Sequence, residues 1–255
     1  MVDCTTLTFN SEFGDYGKLD LYSSPSATTS TPLVVFIHGG AWRTEDKRDH
    51  ENVALGFVKQ GFTVAVTNYR LSIKETPDAP PQVQHPSHIQ DTYQALTFLH
   101  ANPNISTYNK QQMFLVGHSA GAHIATMLLL DTYDIPFVGG VIGADGIYDI
   151  PLLLATFPSY LDFIGQAFGH KSQYHDDSPT SKSSTNVPPV LLVHSMDDQL
   201  LDLAQTEAMY NHLKHLGVAV TLDTTSVKGD HYAMIQSDAF SSVASHYIHS
   251  LLGTA

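Results

Sequence analysis

The stretch from Met113 to Leu130 constrains this chain most. A short apolar run leads into Gly117-His118-Ser119-Ala120-Gly121, and a long apolar pattern with helical spacing follows. A G-x-S-x-G pentapeptide between a strand and a helix holds its serine in a tight turn at the strand's end. Gly117 and Gly121 keep the neighbouring backbone clear of that turn. The serine hydroxyl is thereby lifted above the carboxyl end of a sheet, where the unpaired amides of the following helix also point. An ordinary strand–turn–helix joint reads the same way, so the remaining sequence must decide.

Taken in order, Thr5 to Phe9 and Lys18 to Tyr22 alternate as two edge strands joined through Gly14 and Gly17. Leu33 to Ile37 is a continuous apolar run of strand length, as expected of a strand buried on both faces. It ends in His38-Gly39-Gly40-Ala41-Trp42. Residues 51–59 suit a helix, 63–67 a strand and 88–101 a second helix. Four prolines between residues 77 and 86 mark a stiff loop. After the serine turn and its helix (120–130), 137–144 reads as a buried strand leading into Asp145-Gly146-Ile147-Tyr148-Asp149. Residues 151–188 break the pattern, aromatic early and polar late, and are expected to form a small lid-like insertion. Strand 190–194, helix 203–216, strand 218–225 and helix 239–252 complete the chain. Strands alternating with helices in continuous apolar runs imply a mostly parallel sheet, here of eight strands, covered by helices on both faces. The expected organisation is one α/β domain over residues 1–255.

Composition narrows the function. Twelve Lys and Arg against 25 Asp and Glu give a formal charge of −13, a surface that repels phosphate backbones and anionic lipid. Nucleic acid and membranes are therefore not expected partners; a small-molecule substrate is. Apolar runs fall short of the ~20 residues a membrane span needs, and no signal-peptide pattern opens the chain, so a cytoplasmic enzyme is expected. Cys4 is the only cysteine, which excludes an intrachain disulfide. Apolar helix faces would serve equally as core or as a homodimer interface.

Position selects the reactive groups. His38-Gly39-Gly40 follows a strand upstream of the serine turn, where backbone amides unobstructed by side chains would stabilise an oxyanion; Gly39, Gly40 and Ala120 are the expected donors. Strand 190–194 runs into Ser195-Met196-Asp197-Asp198, and an acid in this loop suits the third member of a triad. Asp198 is preferred over Asp197, although adjacent residues point in different directions and sequence alone leaves both open. Among 15 histidines, His231 follows the last strand, where it would take the proton of Ser119 while Asp198 fixes its tautomer. The order Ser119, Asp198, His231 is that of the α/β-hydrolase fold. His212/His215 and His246/His249 have i,i+3 spacing but lack a clustered carboxylate or cysteine, so they read as solvated helix faces and no metal is expected. The absence of a glycine-rich phosphate loop leaves no nucleotide cofactor in prospect.

Together the blocks His38-Gly39-Gly40-Ala41-Trp42, Gly117-His118-Ser119-Ala120-Gly121-Ala122, Asp145-Gly146-Ile147-Tyr148 and Val193 to Leu201, with His231, resemble the hormone-sensitive-lipase-like branch of the α/β-hydrolases. They resemble the fungal kynurenine formamidases more closely. That resemblance implies a serine hydrolase (arylformamidase) with Ser119, Asp198 and His231 as nucleophile, acid and base. It also implies cleavage of N-formyl-L-kynurenine to kynurenine and formate in tryptophan breakdown toward NAD. The large aromatic leaving group would need a pocket, expected to be lined by Trp42, Tyr148 and aromatics of the insertion. Two other readings stand beside it. One is a carboxylesterase or an acyl-transfer or lactone enzyme using the same triad. The other is a ligand-binding protein without catalysis, disfavoured because no triad member is missing.

Overall fold

The computed structural model describes residues 1–254. Its centre is an eight-stranded sheet: β1 (Asp3–Thr8), β2 (Lys18–Ser23), β3 (Leu33–Ile37), β4 (Thr63–Thr67), β5 (Met113–His118), β6 (Val138–Ala144), β7 (Val190–Val193) and β8 (Val220–Asp223). The spatial order is β1-β2-β4-β3-β5-β6-β7-β8. β1 and β2 run antiparallel, and β3 to β8 are all parallel. Every residue of β3, β4 and β5 is buried, which is why their sequences are unbroken apolar runs. Only β1 and β8 are edges. β2 pairs on both sides, correcting the expectation that it is an edge strand.

Seven α-helices cover the sheet. α1 (Glu51–Lys59) and α7 (Asp238–Leu252) pack on one face, through Phe57, Phe240, Ala244 and Ile248. α2 (Ser87–Ala101), α3 (Ala120–Leu130) and α6 (Leu203–His215) pack on the other. α3 is buried at every position, so its apolar character runs all round the helix rather than along one stripe. Two short helices, α4 (Ile150–Thr156) and α5 (Leu161–Phe168), lie between β6 and β7, within the segment expected to be an insertion. No helix is long and apolar enough to cross a membrane among the described residues.

Parallel connections bring the carboxyl ends of the central strands to one edge of the sheet, and the loops there carry the reactive residues. Backbone strain concentrates in the same place. Of six non-glycine residues with positive φ, five (Ala41, Trp42, Glu45, Ser119 and Asp145) stand in the loops after β3, β5 and β6. Such conformations cost about 1–3 kcal/mol each and persist only where surrounding structure enforces them.

The interior also holds neutral histidines. Burial lowers His38 and His85 to about 4 and His88 and His123 to about 3, and holds His118 well below its ordinary value. Their folded pKa values lie below the unfolded value, so the unfolded chain binds more protons under mild acid. The stabilisation from keeping them neutral is complete above about pH 6.5 and is lost progressively toward pH 3–4. Each contributes a slope of up to about 1.4 kcal/mol per pH unit in that window. Chemical denaturation should show a plateau above pH 7 and a steep loss of stability between pH 6 and 4. A flat profile there would mean that these histidines are not buried neutral groups.

Candidate functional site

Ser119 sits between β5 and α3 with φ 54° and ψ −117°, a backbone that few residues adopt. Its amide donates to the Ala144 carbonyl at the end of β6. The turn fits only because Gly121 has no side chain: a Cβ there would lie 2.0 Å from the Ile37 carbonyl oxygen of β3. The seryl hydroxyl makes no hydrogen bond within the protein among the described residues.

His231 lies in the loop after β8. Its Nδ1–H donates to Asp198 Oδ2 at 2.7 Å, leaving Nε2 as a lone pair. Both side chains are almost completely buried, the imidazole 4% exposed and the carboxylate 0%. The other Asp198 oxygen accepts the amides of Leu200 (2.7 Å) and Leu201 (3.1 Å). Burial opposes ionisation of Asp198, but the bond to His231, its charge and these two amides outweigh it, holding the carboxyl below its usual range. Asp197 turns the other way, exposed, with its carboxylate accepting only the Gly229 amide at 3.2 Å. Of the two adjacent aspartates, it is Asp198 that His231 contacts.

Ser119 and His231 line one cavity of about 280 Å³, without a hydrogen bond between them. In α/β sites without substrate such contacts are commonly long and tighten on binding. The loop after β3 forms one rim. A Cβ on Gly39 would stand 3.0 Å from Ser119 Cβ, which places this backbone directly against the nucleophile. Gly40 has φ +81°, and a Cβ there would lie 2.3 Å from the Thr44 carbonyl oxygen. Among the described residues, the amides of Gly39, Gly40 and Ala41 donate to no protein acceptor. Ala120 opens α3, where amides lack a carbonyl one turn earlier. These are the free donors an oxyanion requires. The carbonyls of His38 and Gly39 are held instead by the Tyr69 hydroxyl, at 3.0 and 2.8 Å, so the loop's amides face the other way.

The rest of the cavity is walled by Ile147, by Ser159, Tyr160, Asp162 and Phe163 from the segment around α5, by Leu200 and Leu201, and by Tyr232. Trp42 and Tyr148, expected to line it, do not. Both are fully buried. Trp42 follows Ala41 in a left-handed backbone (φ 51° and 57°), and its ring packs edge-on against His123 (5.1 Å) and Phe168 (4.9 Å). Tyr148 folds back over Gly143 and Gly146, whose missing side chains leave it room. Tyr160 and Phe163 supply the aromatic wall, in the insertion where aromatics were expected.

Residues 19–137 match the family model described as BD-FAE. The chain is 34% identical to a kynurenine formamidase of Meyerozyma guilliermondii over 72% of this chain and 75% of that one. The chain belongs to the kynurenine formamidase family. It is also 28% identical to a probable carboxylic ester hydrolase, LipM, of Mycobacterium tuberculosis, over 80% of this chain and 51% of that one. The inhibited esterase B of Lactobacillus rhamnosis superposes with a TM-score of 0.82 at 18% identity, covering 99% of this chain and 88% of that chain, which confirms the α/β-hydrolase fold. As a member of the kynurenine formamidase family the chain is a hydrolase.

Three residues around the site of this formamidase-family hydrolase have no role in the sequence reading. Asp145 directly follows β6, within the Asp-Gly-Ile-Tyr block, and is buried beside Asp198 and His231. One oxygen from its carboxylate, one from Asp198 and a ring nitrogen of His231 all lie within 4.8 Å of one another. Its Oδ1 accepts the Ser195 amide at 2.9 Å and faces His194 Nδ1 at 3.1 Å, tying the acid loop to β6. Burial raises its pKa, and the neighbouring Asp198 charge adds to the rise. His118, within the serine turn, donates from Nε2 to the His231 carbonyl at 2.8 Å and so fixes the histidine loop. Tyr69 anchors the loop after β3. Each stands at the carboxyl end of a strand, and that placement was the available signal.

Proposed function

We propose that this hydrolase cleaves N-formyl-L-kynurenine to L-kynurenine and formate, a step in tryptophan degradation toward NAD. Ser119 Oγ attacks the formyl carbon as His231 Nε2 takes its proton, with Asp198 stabilising the imidazolium. The oxyanion rests on the amides of Gly39, Gly40 and Ala120. His231 then protonates the departing aryl nitrogen, leaving a formyl ester on Ser119. Water, deprotonated by His231, attacks that ester and formate leaves.

The observation that carries this reading beyond the family relationship is the shape and chemistry of the cavity. At about 280 Å³ it is close to the small end of ligand pockets and suits a single-ring leaving group. Tyr160 and Phe163 offer aromatic faces to such a ring. Arg43 supplies a cation at the same wall. It donates to Asp162 at 2.6 Å and to Gln166 at 3.2 Å; the Asp162 side chain is 73% exposed, so the ion pair is solvent-screened and open to exchange with a substrate carboxylate. Arg70, the other arginine near a strand end, is engaged by both oxygens of Asp91 and lies over the Phe13 ring, 3.8 Å from its centroid.

Replacing Arg43 by alanine should therefore raise KM for formylkynurenine by about 10- to 100-fold, the worth of a charged hydrogen bond. Turnover of p-nitrophenyl acetate, which has no carboxylate, should not change. Equal losses on both substrates would mean that Arg43 supports the wall and does not recognise the acid. The decisive assay compares kcat/KM for formylkynurenine with that for p-nitrophenyl acetate and butyrate on the pure protein. A formamide preference of orders of magnitude supports the proposal. Turnover of the esters alone would leave the triad in place and move the substrate to the carboxylesterase class.

A further inference from the structure

The loop between β3 and α1 carries a second cluster of chemically competent side chains, separate from the serine and its partners. His38, Glu45 and His50 each offer one donor atom, and the three atoms lie within 4.8 Å of one another. Their sequence spacing matches no metal motif, and the loop brings them together by an unusual path. Glu45 sits at φ +71°, where a glutamate is rarely found. Asn68 holds the path in place, accepting the Lys47 amide (2.7 Å) and donating to Asp46 (2.7 Å).

The cluster is incomplete as a hydrogen-bonded group. Glu45 Oε2 meets His50 Nε2 at 2.9 Å, but Glu45 Oε1, His50 Nδ1 and His38 Nε2 are all buried without a partner among the described residues. His38 is wholly buried, and its Nδ1–H is directed at the Gly39 carbonyl (3.2 Å), so the unpartnered Nε2 is a bare lone pair. A backbone carbonyl on one ring nitrogen is the usual outer partner of an imidazole that ligates through the other. No lysine or arginine compensates Glu45 among the described residues. Two cations of the loop are engaged elsewhere, Lys47 with Asp20 at 2.8 Å and Arg48 with Asp46 at 3.1 Å. The Glu45 side chain is only 13% exposed, and His50 is the one basic group that it contacts among the described residues.

We propose that His38, Glu45 and His50 bind one divalent first-row transition-metal ion, zinc being the ion that two imidazoles and a carboxylate suit best. Zinc bonds of about 2.0–2.2 Å place tetrahedral ligands about 3.4 Å apart. The Glu45–His50 pair stands at 2.9 Å and all three donor atoms lie within 4.8 Å of one another, a range that brackets that value. Three protein ligands would leave a fourth position for water. The ion would tie residue 38, at the root of the oxyanion loop, to residue 50, at the start of α1. Its role there is to brace the loop rather than to activate the nucleophile, because Ser119 already has His231.

The test uses the tag-free protein, stripped with a chelator and dialysed against zinc or cobalt(II). Metal content after gel filtration should be one equivalent, and zinc should raise the melting temperature. Cobalt(II) should give the intense visible absorption of a four-coordinate site. Glu45→Gln and His50→Gln should each weaken zinc binding by more than the roughly 10- to 100-fold that follows loss of an outer-shell partner. His215→Ala and His246→Ala, on exposed helix faces, should retain the equivalent. The cobalt spectrum of the unaltered protein keeps the test valid even where a variant fails to fold. Less than stoichiometric metal with the spectrum of the hydrated ion overturns the proposal. So does binding that survives Glu45→Gln and His50→Gln undiminished, since the ion would then sit elsewhere.

Discussion

Replacing Ser119 by alanine should lower kcat for the preferred substrate by about 10⁶-fold, the loss seen when a serine hydrolase is deprived of its nucleophile. The same change should leave the fold almost untouched. The hydroxyl makes no internal hydrogen bond among the described residues, and alanine experiences the turn at φ 54° much as serine does. Melting temperature is therefore the control that separates lost chemistry from lost structure. Substrate binding should survive, because the Tyr160 and Phe163 wall and Arg43 do not depend on Oγ. A fluorophosphonate probe should label the native protein at residue 119 and the variant nowhere. Residual turnover within about 100-fold of native would show that another group attacks the acyl carbon, and retained labelling would locate it.

How far the sequence foretold this site depends on what set each feature. Strands β3, β4 and β5 are buried on both faces, so their apolar runs mark the boundaries directly. β8 is a half-buried edge with one exposed position, and it is shorter, Val220–Asp223, than the run 218–225 suggests. Ser119, Asp198 and His231 were legible because strand ends deliver loops to one edge of a parallel sheet, whatever the side chains around them. Trp42 was not, because its direction follows from two successive left-handed residues, Ala41 and Trp42, which an alanine and a tryptophan adopt only under tertiary constraint. Tyr148 was misplaced for a related reason: the space it fills is made by Gly143 and Gly146, which look like ordinary strand and turn glycines in sequence. Glu45 belongs to the same class. Nothing local requires a glutamate to meet His50, and only the folded path through Asn68 brings the two together.

The choice between two adjacent aspartates gives the second large effect. Asp198→Asn should lower kcat by about 10⁴-fold with little change in fold. The asparagine carbonyl can still accept the Leu200 and Leu201 amides, so the loop keeps its shape. Its NH₂ group, however, would face His231 Nδ1, where a proton now points at a carboxylate. The imidazole then holds its proton on Nε2, toward Ser119, and cannot act as base. Asp197→Asn should change kcat by less than about threefold, since that side chain holds one exposed amide and loses only a weak surface contact. The buried Asp145 makes the result sharper still. Its carboxylate lies within reach of the same pair, so a loss smaller than tenfold in Asp198→Asn would point to Asp145 as the acid that supports His231. The Asp145→Asn, Asp198→Asn double variant would then fall by the full factor. Should Asp198→Asn alone fall about 10⁴-fold, Asp145 is confined to holding the Ser195 amide, and the acid of the triad is the residue that His231 already contacts.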